Sequence, residues 1–283
     1  MATPHILMCP PDYYGIEYEI NPWMDRTQQA DREVACVQWQ GLHDILQELG
    51  VVVSKLPPVN GSPDLVFTAN AALIFRQRAI LSHFRHPERQ GEEEYDAAWL
   101  AEAGYTVERL PDDMYFEGAG DALFCGDTLF AGYRIRSDAR GHQHIGMLLG
   151  KRVIPMELVD HHYYHLDTCF CPLAPGEAIY FPPAFDDYGR RALEELVPTL
   201  IPVVEEEARS FACNAVVVGR TVVTNVGSPL LQKSLQDRGY ATAETPLGEF
   251  VKAGGSAKCL TLRLDGEEAA SWRNHSANGD ASS

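Results

Sequence analysis

No stretch of this chain approaches the length of a membrane span. The apolar run near its start, His5 to Met8, is brief and meets Pro10-Pro11 at once, which does not make a secretory leader. Basic residues are scarce: 23 Lys and Arg stand against 40 Asp and Glu, a formal net charge of −17. That balance speaks against a nucleic-acid partner or an anionic membrane surface and suits a small cationic substrate. The cysteines lack pairing order. Cys9, Cys36, Cys125, Cys169, Cys171, Cys213 and Cys259 are odd in number and scattered, so they read as reduced thiols in a cytoplasmic protein. Cys169-Phe170-Cys171 is too tight for a usual zinc pair and has no second half. Its two thiols, alternating along a strand, are expected to face the core together. No metal-ligand spacing is visible anywhere.

What is present is a repeat. The chain has 283 residues, 45% of them hydrophobic, enough for a substantial core. Apolar positions from Thr27 to Leu49 (Ala30, Val34, Val37, Leu42, Ile45, Leu46) follow a helical stripe, with Gly50 as the stop and Val51-Val52-Val53 as a strand. Then strand, strand, helix, strand recurs four times. Leu65–Leu73, 79–83, 92–103 and 105–110 form the first copy; 121–124, 128–133, 137–149 and 153–158 the second. Residues 166–173, 177–181, 184–197 and 200–204 form the third, and 213–218, 221–225, 228–238 and 240–245 the fourth. A fifth copy is split: Cys259–Leu264 and His5–Cys9 flank the chain ends, and the 27–49 helix with 51–54 completes it. A period of about 45–50 residues signals a propeller or array, and this arithmetic fits a closed ring. Residues 1–267 read as a single domain, and the Ser- and Asn-rich stretch 268–283 as a disordered tail.

Lys252-Ala253-Gly254-Gly255-Ser256-Ala257-Lys258-Cys259-Leu260-Thr261-Leu262 is the stretch with the most chemical content. Two glycines permit a sharp bend or a close approach, and an alternating apolar run follows. Cys259 therefore sits at a loop–strand junction, and Lys258 beside it is placed to favour a thiolate. A free cysteine is ordinarily just a buried core residue. Aligning the units by their first strands, however, brings Asn70, Glu117 with Asp121, His165 with Asp167, Asn214 and Cys259 to one phase. A nucleophile, an acid–base group and carboxylates for a cation converge there. Taken singly each has a blander reading: a core histidine, turn chemistry at Phe116-Glu117-Gly118-Ala119-Gly120-Asp121, a capping Asn70, solvated arginines at 85–89, and Ser137 as a helix cap. Residues 12–24 form an aromatic loop, apolar enough to fold over a pocket.

These segments resemble the guanidine-modifying enzymes of the pentein superfamily, whose fold is a five-bladed α/β propeller of ββαβ units around a central active site. The resemblance covers roughly residues 5–265. It rests on Phe67-Thr68-Ala69-Asn70-Ala71, the Phe116–Asp121 segment, Gly132-Tyr133-Arg134-Ile135-Arg136-Ser137, His165-Leu166-Asp167 and Gly254–Cys259. It implies Cys259 as nucleophile, His165 as general acid/base and Glu117 as the carboxylate gripping a guanidinium. Arg89 and Arg136 are implied to bind a substrate carboxylate, and Asn21, Asn70, Asp121 and Asp167 to complete the substrate-binding set. Where deiminases and amidinotransferases carry aspartate, this chain has Asn70. Together with Met8-Cys9-Pro10-Pro11-Asp12-Tyr13-Tyr14 and Glu88-Arg89-Gln90-Gly91-Glu92-Glu93, that is most similar to the cyanobacterial-type arginine dihydrolase.

The implied reaction converts L-arginine to ornithine, two ammonia and carbon dioxide through a covalent thiouronium, without metal or organic cofactor. A dimethylargininase or deiminase releasing citrulline is the enzymatic alternative, and a catalytically inactive propeller that binds a partner is the other. Some relatives continue into a domain of the ornithine cyclodeaminase type. This chain stops short of one and is expected to carry the hydrolase step alone. A homo-oligomer is left open.

Overall fold

In the computed structural model, residues 3–267 are described, and the expected disordered tail at 268–283 lies outside them. Among the described residues the strands form five three-stranded sheets. In each, the first strand runs antiparallel to the second and the second parallel to the third, with a helix in the parallel crossover. The sheet order is Ala72–Phe75, Arg78–Leu81, Thr106–Glu108; then Ala122–Cys125, Thr128–Tyr133, Arg152–Glu157; then Phe170–Ala174, Glu177–Tyr180, Thr199–Pro202; then Val216–Val218, Thr221–Asn225, Ala241–Thr245. The remaining sheet joins Leu262–Arg263 to His5–Met8 and Val52–Lys55. Ile6 stands opposite Arg263 on one side and Val53 on the other, so the split unit closes as the repeat arithmetic requires. The fold is the pentein propeller.

The helices obey their sequence signals at one end better than at the other. Arg32–Glu48 buries Ala35, Trp39, Leu42, His43 and Leu46, and stops where Gly50 takes φ 80° and Val51 N–H reaches back to Leu46 O. Its start is later than Thr27, because Asp25 accepts from the Thr27 and Gln28 side chains and Asp31 caps the helix through Glu33 and Val34 N–H. Ser137 is not a helix cap; the helix Ala139–Leu149 begins after Asp138.

One difference recurs around the ring. Expected first strands beginning at Leu65, Asp121, Leu166, Cys213 and Cys259 start several residues later in most units. Short helical turns precede them: Pro63–Val66 and Thr68–Asn70, Gly118–Asp121, and Leu166–Thr168. These segments are buried on every side, so their apolar run carries no period to tell a turn from a strand. The turns matter, because they carry the polar residues.

Candidate active site

Each unit delivers its polar residues from the turn that leads into its first strand. Cys259 is 2% exposed, and the turn holding it is locked by Leu260 N–H to Ser256 O and by Ala69 N–H to Cys259 O. The glycines before it have separate reasons. Gly254 adopts φ 84°, and a side chain at Gly255 would put a carbon 2.4 Å from the Phe67 ring.

Glu117 is fully buried and three donors converge on its carboxylate. Arg136 Nη1 lies 2.8 Å and His165 Nε2 2.7 Å from Oε2, and Arg85 N–H donates to Oε1. Burial alone pushes this carboxyl up, but the Arg136 guanidinium and the His165 hydrogen bond outweigh it and hold it well below the usual range. His165 moves the other way: burial lowers it to about 4, against the pull of Glu117. The imidazole is therefore neutral, with Nε2–H donating to Glu117 as the hydrogen bonding assigns it. Its Nδ1 is buried without a hydrogen-bond partner.

Asn70 is held on both sides of its amide. Nδ2 donates to Glu117 O at 3.2 Å, and Oδ1 accepts from Arg89 Nη1 at 3.0 Å. Gly120 leaves the room, since a methyl group there would sit 2.2 Å from Nδ2. Arg89 is not solvated: it is 3% exposed, forks onto Glu92, and packs on the Phe84 ring. Arg136 lies over the Tyr164 ring and donates to Ile20 O.

Asn21, Asn70, Arg89, Arg136 and Cys259 thus line one cavity, together with Asp64. The space left in it is about 10 Å³, room for roughly one water. The 12–24 loop closes it. Asn21 Nδ2 donates to Ala253 O, Tyr14 Oη to Glu249 O, and Trp23 Nε1 to His162 O.

Asp121 and Asp167 are brought close but turned to other partners. Asp121 accepts from Ser137 Oγ and Leu166 N–H, and Ser137 Oγ in turn accepts from Glu117 N–H. Asp167 Oδ2 lies 3.4 Å from Cys259 Sγ, and burial pushes its carboxyl up to about 7 despite nearby Lys258. Lys258 does not serve the sulfur, as its ammonium is bound to Glu267 at 2.9 Å and to Thr261 O. Burial and the Asp167 carboxylate push the Cys259 thiol well above its ordinary value.

Asp64, Glu92, Tyr164 and Ser137 are additional site residues that repeat phase did not mark. Asp64 is 2% exposed and its Oδ1 has no partner. Its signal in the sequence was weak: one acid ahead of an apolar run. Among the described residues, no group of three or more His, Cys, Asp or Glu is arranged to hold a metal ion.

Residues 16–264 match the family model described as N,N dimethylarginine dimethylhydrolase, eukaryotic. The chain is 48% identical over 264 residues to the bifunctional arginine dihydrolase/ornithine cyclodeaminase ArgZ of Synechocystis sp., a match spanning 92% of this chain and 37% of that one. It is 38% identical over 262 residues to the N(G),N(G)-dimethylarginine dimethylaminohydrolase of Mycobacterium tuberculosis, covering 93% of this chain and 86% of that one. Among solved structures, the N-terminal domain of ArgZ, a cysteine-to-serine variant bound to substrate, superposes with a TM-score of 0.89 at 48% identity. That match covers 92% of this chain and 98% of that domain.

Proposed function

The chain belongs to the N,N-dimethylarginine dimethylhydrolase family, and from that premise we propose that it is an arginine dihydrolase, converting L-arginine and two waters to ornithine, two ammonia and carbon dioxide. The observation that carries this reading over a citrulline-releasing one is Asn70, a neutral amide standing between Glu117 and Arg89. The 48% identity to a relative named as an arginine dihydrolase supports it. Residues 1–267 act as one catalytic domain in this reading. The seven free thiols support a cytoplasmic setting, and no helix among the described residues is long and apolar enough to cross a membrane.

Glu117 takes the substrate guanidinium. It is held anionic, so it keeps the group charged and electrophilic at the central carbon. Asp64, buried beside the cavity with a free oxygen, is placed for the α-ammonium, and Arg89 and Arg136 for the α-carboxylate. A cation arriving near Cys259 offsets the burial that keeps its thiol protonated. Asp167 Oδ2, at 3.4 Å, is in place to accept the departing proton.

The thiolate attacks the guanidine carbon. His165, neutral at rest, takes up a proton from water at Nδ1 and, as imidazolium, gives a proton to the first ammonia as the C–N bond breaks, leaving an S-alkylthiouronium and the neutral imidazole. A water, deprotonated by the imidazole, then adds to that carbon and expels the thiolate, which leaves the ureido group. Asn70 offers a donor and an acceptor to that neutral group, where an ionised carboxylate only accepts. The ureido group stays bound, and a second attack expels the second ammonia. Hydrolysis of the resulting thiocarbamate leaves a carbamate on the δ-nitrogen, which decomposes to carbon dioxide and ornithine. Incubation with arginine, followed by chromatography of the amino acids, tests the reading: ornithine as the main product supports it, and citrulline as the main product rejects it.

A further inference from the structure

Asn214 belongs to no role described so far, yet its side chain is fully buried against the nucleophile. Its Oδ1 accepts the Cys259 backbone N–H at 3.1 Å. Its Nδ2 lies 3.1 Å from Asp167 O and 3.1 Å from Cys259 Sγ. Amide orientation is usually ambiguous, but here the partners fix it. The Cys259 N–H is only a donor and the Asp167 carbonyl only an acceptor. One hydrogen on Nδ2 goes to that carbonyl, which leaves the other pointing at the sulfur. Asn214 is itself pinned, its N–H on Phe211 O and its carbonyl on Lys258 N–H. Phe211 holds this turn at φ 60°, an unusual conformation for a bulky residue.

We propose that Asn214 is the positioning residue of the nucleophile: it fixes the Cys259 backbone through Oδ1 and stabilises the attacking thiolate through Nδ2–H. This rests on the reading of Cys259 as the attacking group. A thiolate accepts that hydrogen bond more strongly than a thiol does, so the bond acts on the charged form. It opposes Asp167, whose carboxylate at 3.4 Å favours the protonated thiol. Asp64, Arg89, Arg136 and Tyr164 line the same cavity as the sulfur, and Glu117 is bonded to both Arg136 and His165. The Lys258 ammonium is committed to Glu267. Among the described residues, Asn214 is thus the side-chain amide donor that touches the sulfur.

The test uses Asn214→Leu, similar in size without donor or acceptor, and Asn214→Asp, which keeps the acceptor for Cys259 N–H and removes the donor. Alkylation of Cys259 by iodoacetamide, read by peptide mass spectrometry across pH, should slow at least about tenfold at fixed pH in both. With arginine, kcat should fall by a similar factor, KM should stay within about twofold, and the acid limb of the kcat profile should move to higher pH. Unchanged alkylation, a kcat loss equal at every pH, or loss of the fold in both variants would overturn the role. Alkylation does not depend on turnover. If the native protein makes no ornithine, the proposed reaction falls while the alkylation profiles still decide the role of Asn214.

Discussion

Arg136 Nη1 lies 2.8 Å from Glu117 Oε2, so one of the chain's own guanidinium groups rests on the carboxylate assigned to the substrate's guanidinium. Both groups are buried. Under the proposed function, arginine binding is an exchange: the incoming guanidinium takes Glu117, and the released Arg136 meets the incoming carboxylate. The cavity, about 10 Å³, is lined on one side by Ile20, Asn21 and Met24 of the 12–24 loop.

That exchange predicts a strong preference for arginine over agmatine, which lacks the carboxylate. Agmatine displaces Arg136 and leaves it buried without an anion, a loss of roughly 2–5 kcal/mol. Its kcat/KM should be lower by at least about thirtyfold. Comparable specificity constants would remove Arg89 and Arg136 from carboxylate recognition.

Cys259→Ser should abolish turnover and retain arginine binding, because a hydroxyl is a far weaker nucleophile at neutral pH. Calorimetric titration reads the binding, and a thermal melt close to that of the native protein checks the fold. Appreciable ammonia release by this variant would remove Cys259 from the reaction.

Acid should weaken the fold through histidines that are buried neutral. His142 is 1% exposed, has no hydrogen-bond partner on either nitrogen, and is lowered to about 4 by burial. Its folded value lies below the unfolded one, so the unfolded chain binds the proton first as pH falls through 6.5. Stability is full above that point and drops toward pH 4, by about 1.4 kcal/mol per pH unit and on the order of 3 kcal/mol in all. His142→Phe should flatten that part of the profile in urea titrations at several pH values. An unchanged slope between pH 6.5 and 4 would contradict it.

Much of this was legible in the sequence. Four repeats of one strand–helix order, with the chain ends supplying the fifth, gave the ring before any side chain was placed. Repeat phase gathered Asn70, Glu117, His165, Asn214 and Cys259. It did not tell which residues face the cavity. Glu117, His165, Asp121 and Asp167 share the phase but are not among the cavity-lining residues: Glu117 and His165 bond each other, Asp121 bonds Ser137 and Leu166, and Asp167 bonds Cys259. Lys258 was misjudged for a related reason: adjacency in sequence says nothing of direction, and its ammonium runs to Glu267. Asp64 was missed because burial, not residue type, makes its carboxylate distinctive.

Asn70→Asp tests the residue that separates the two product readings. The carboxylate keeps an acceptor for Arg89 but sets an oxygen against Glu117 O, where Nδ2 now donates. It still suits the cationic guanidinium and offers no donor to the neutral ureido oxygen. The citrulline-to-ornithine ratio should rise in chromatographed products. Ornithine alone, at the native rate, would show that Asn70 does not set the outcome.

The most direct measurement follows the guanidino carbon itself. Arginine labelled with carbon-13 at that position, incubated with the protein and followed by NMR, should transfer its label to carbon dioxide and bicarbonate. Two ammonia should appear for each ornithine, with little label in free citrulline. Label retained stoichiometrically in citrulline, with one ammonia released, would contradict the dihydrolase assignment.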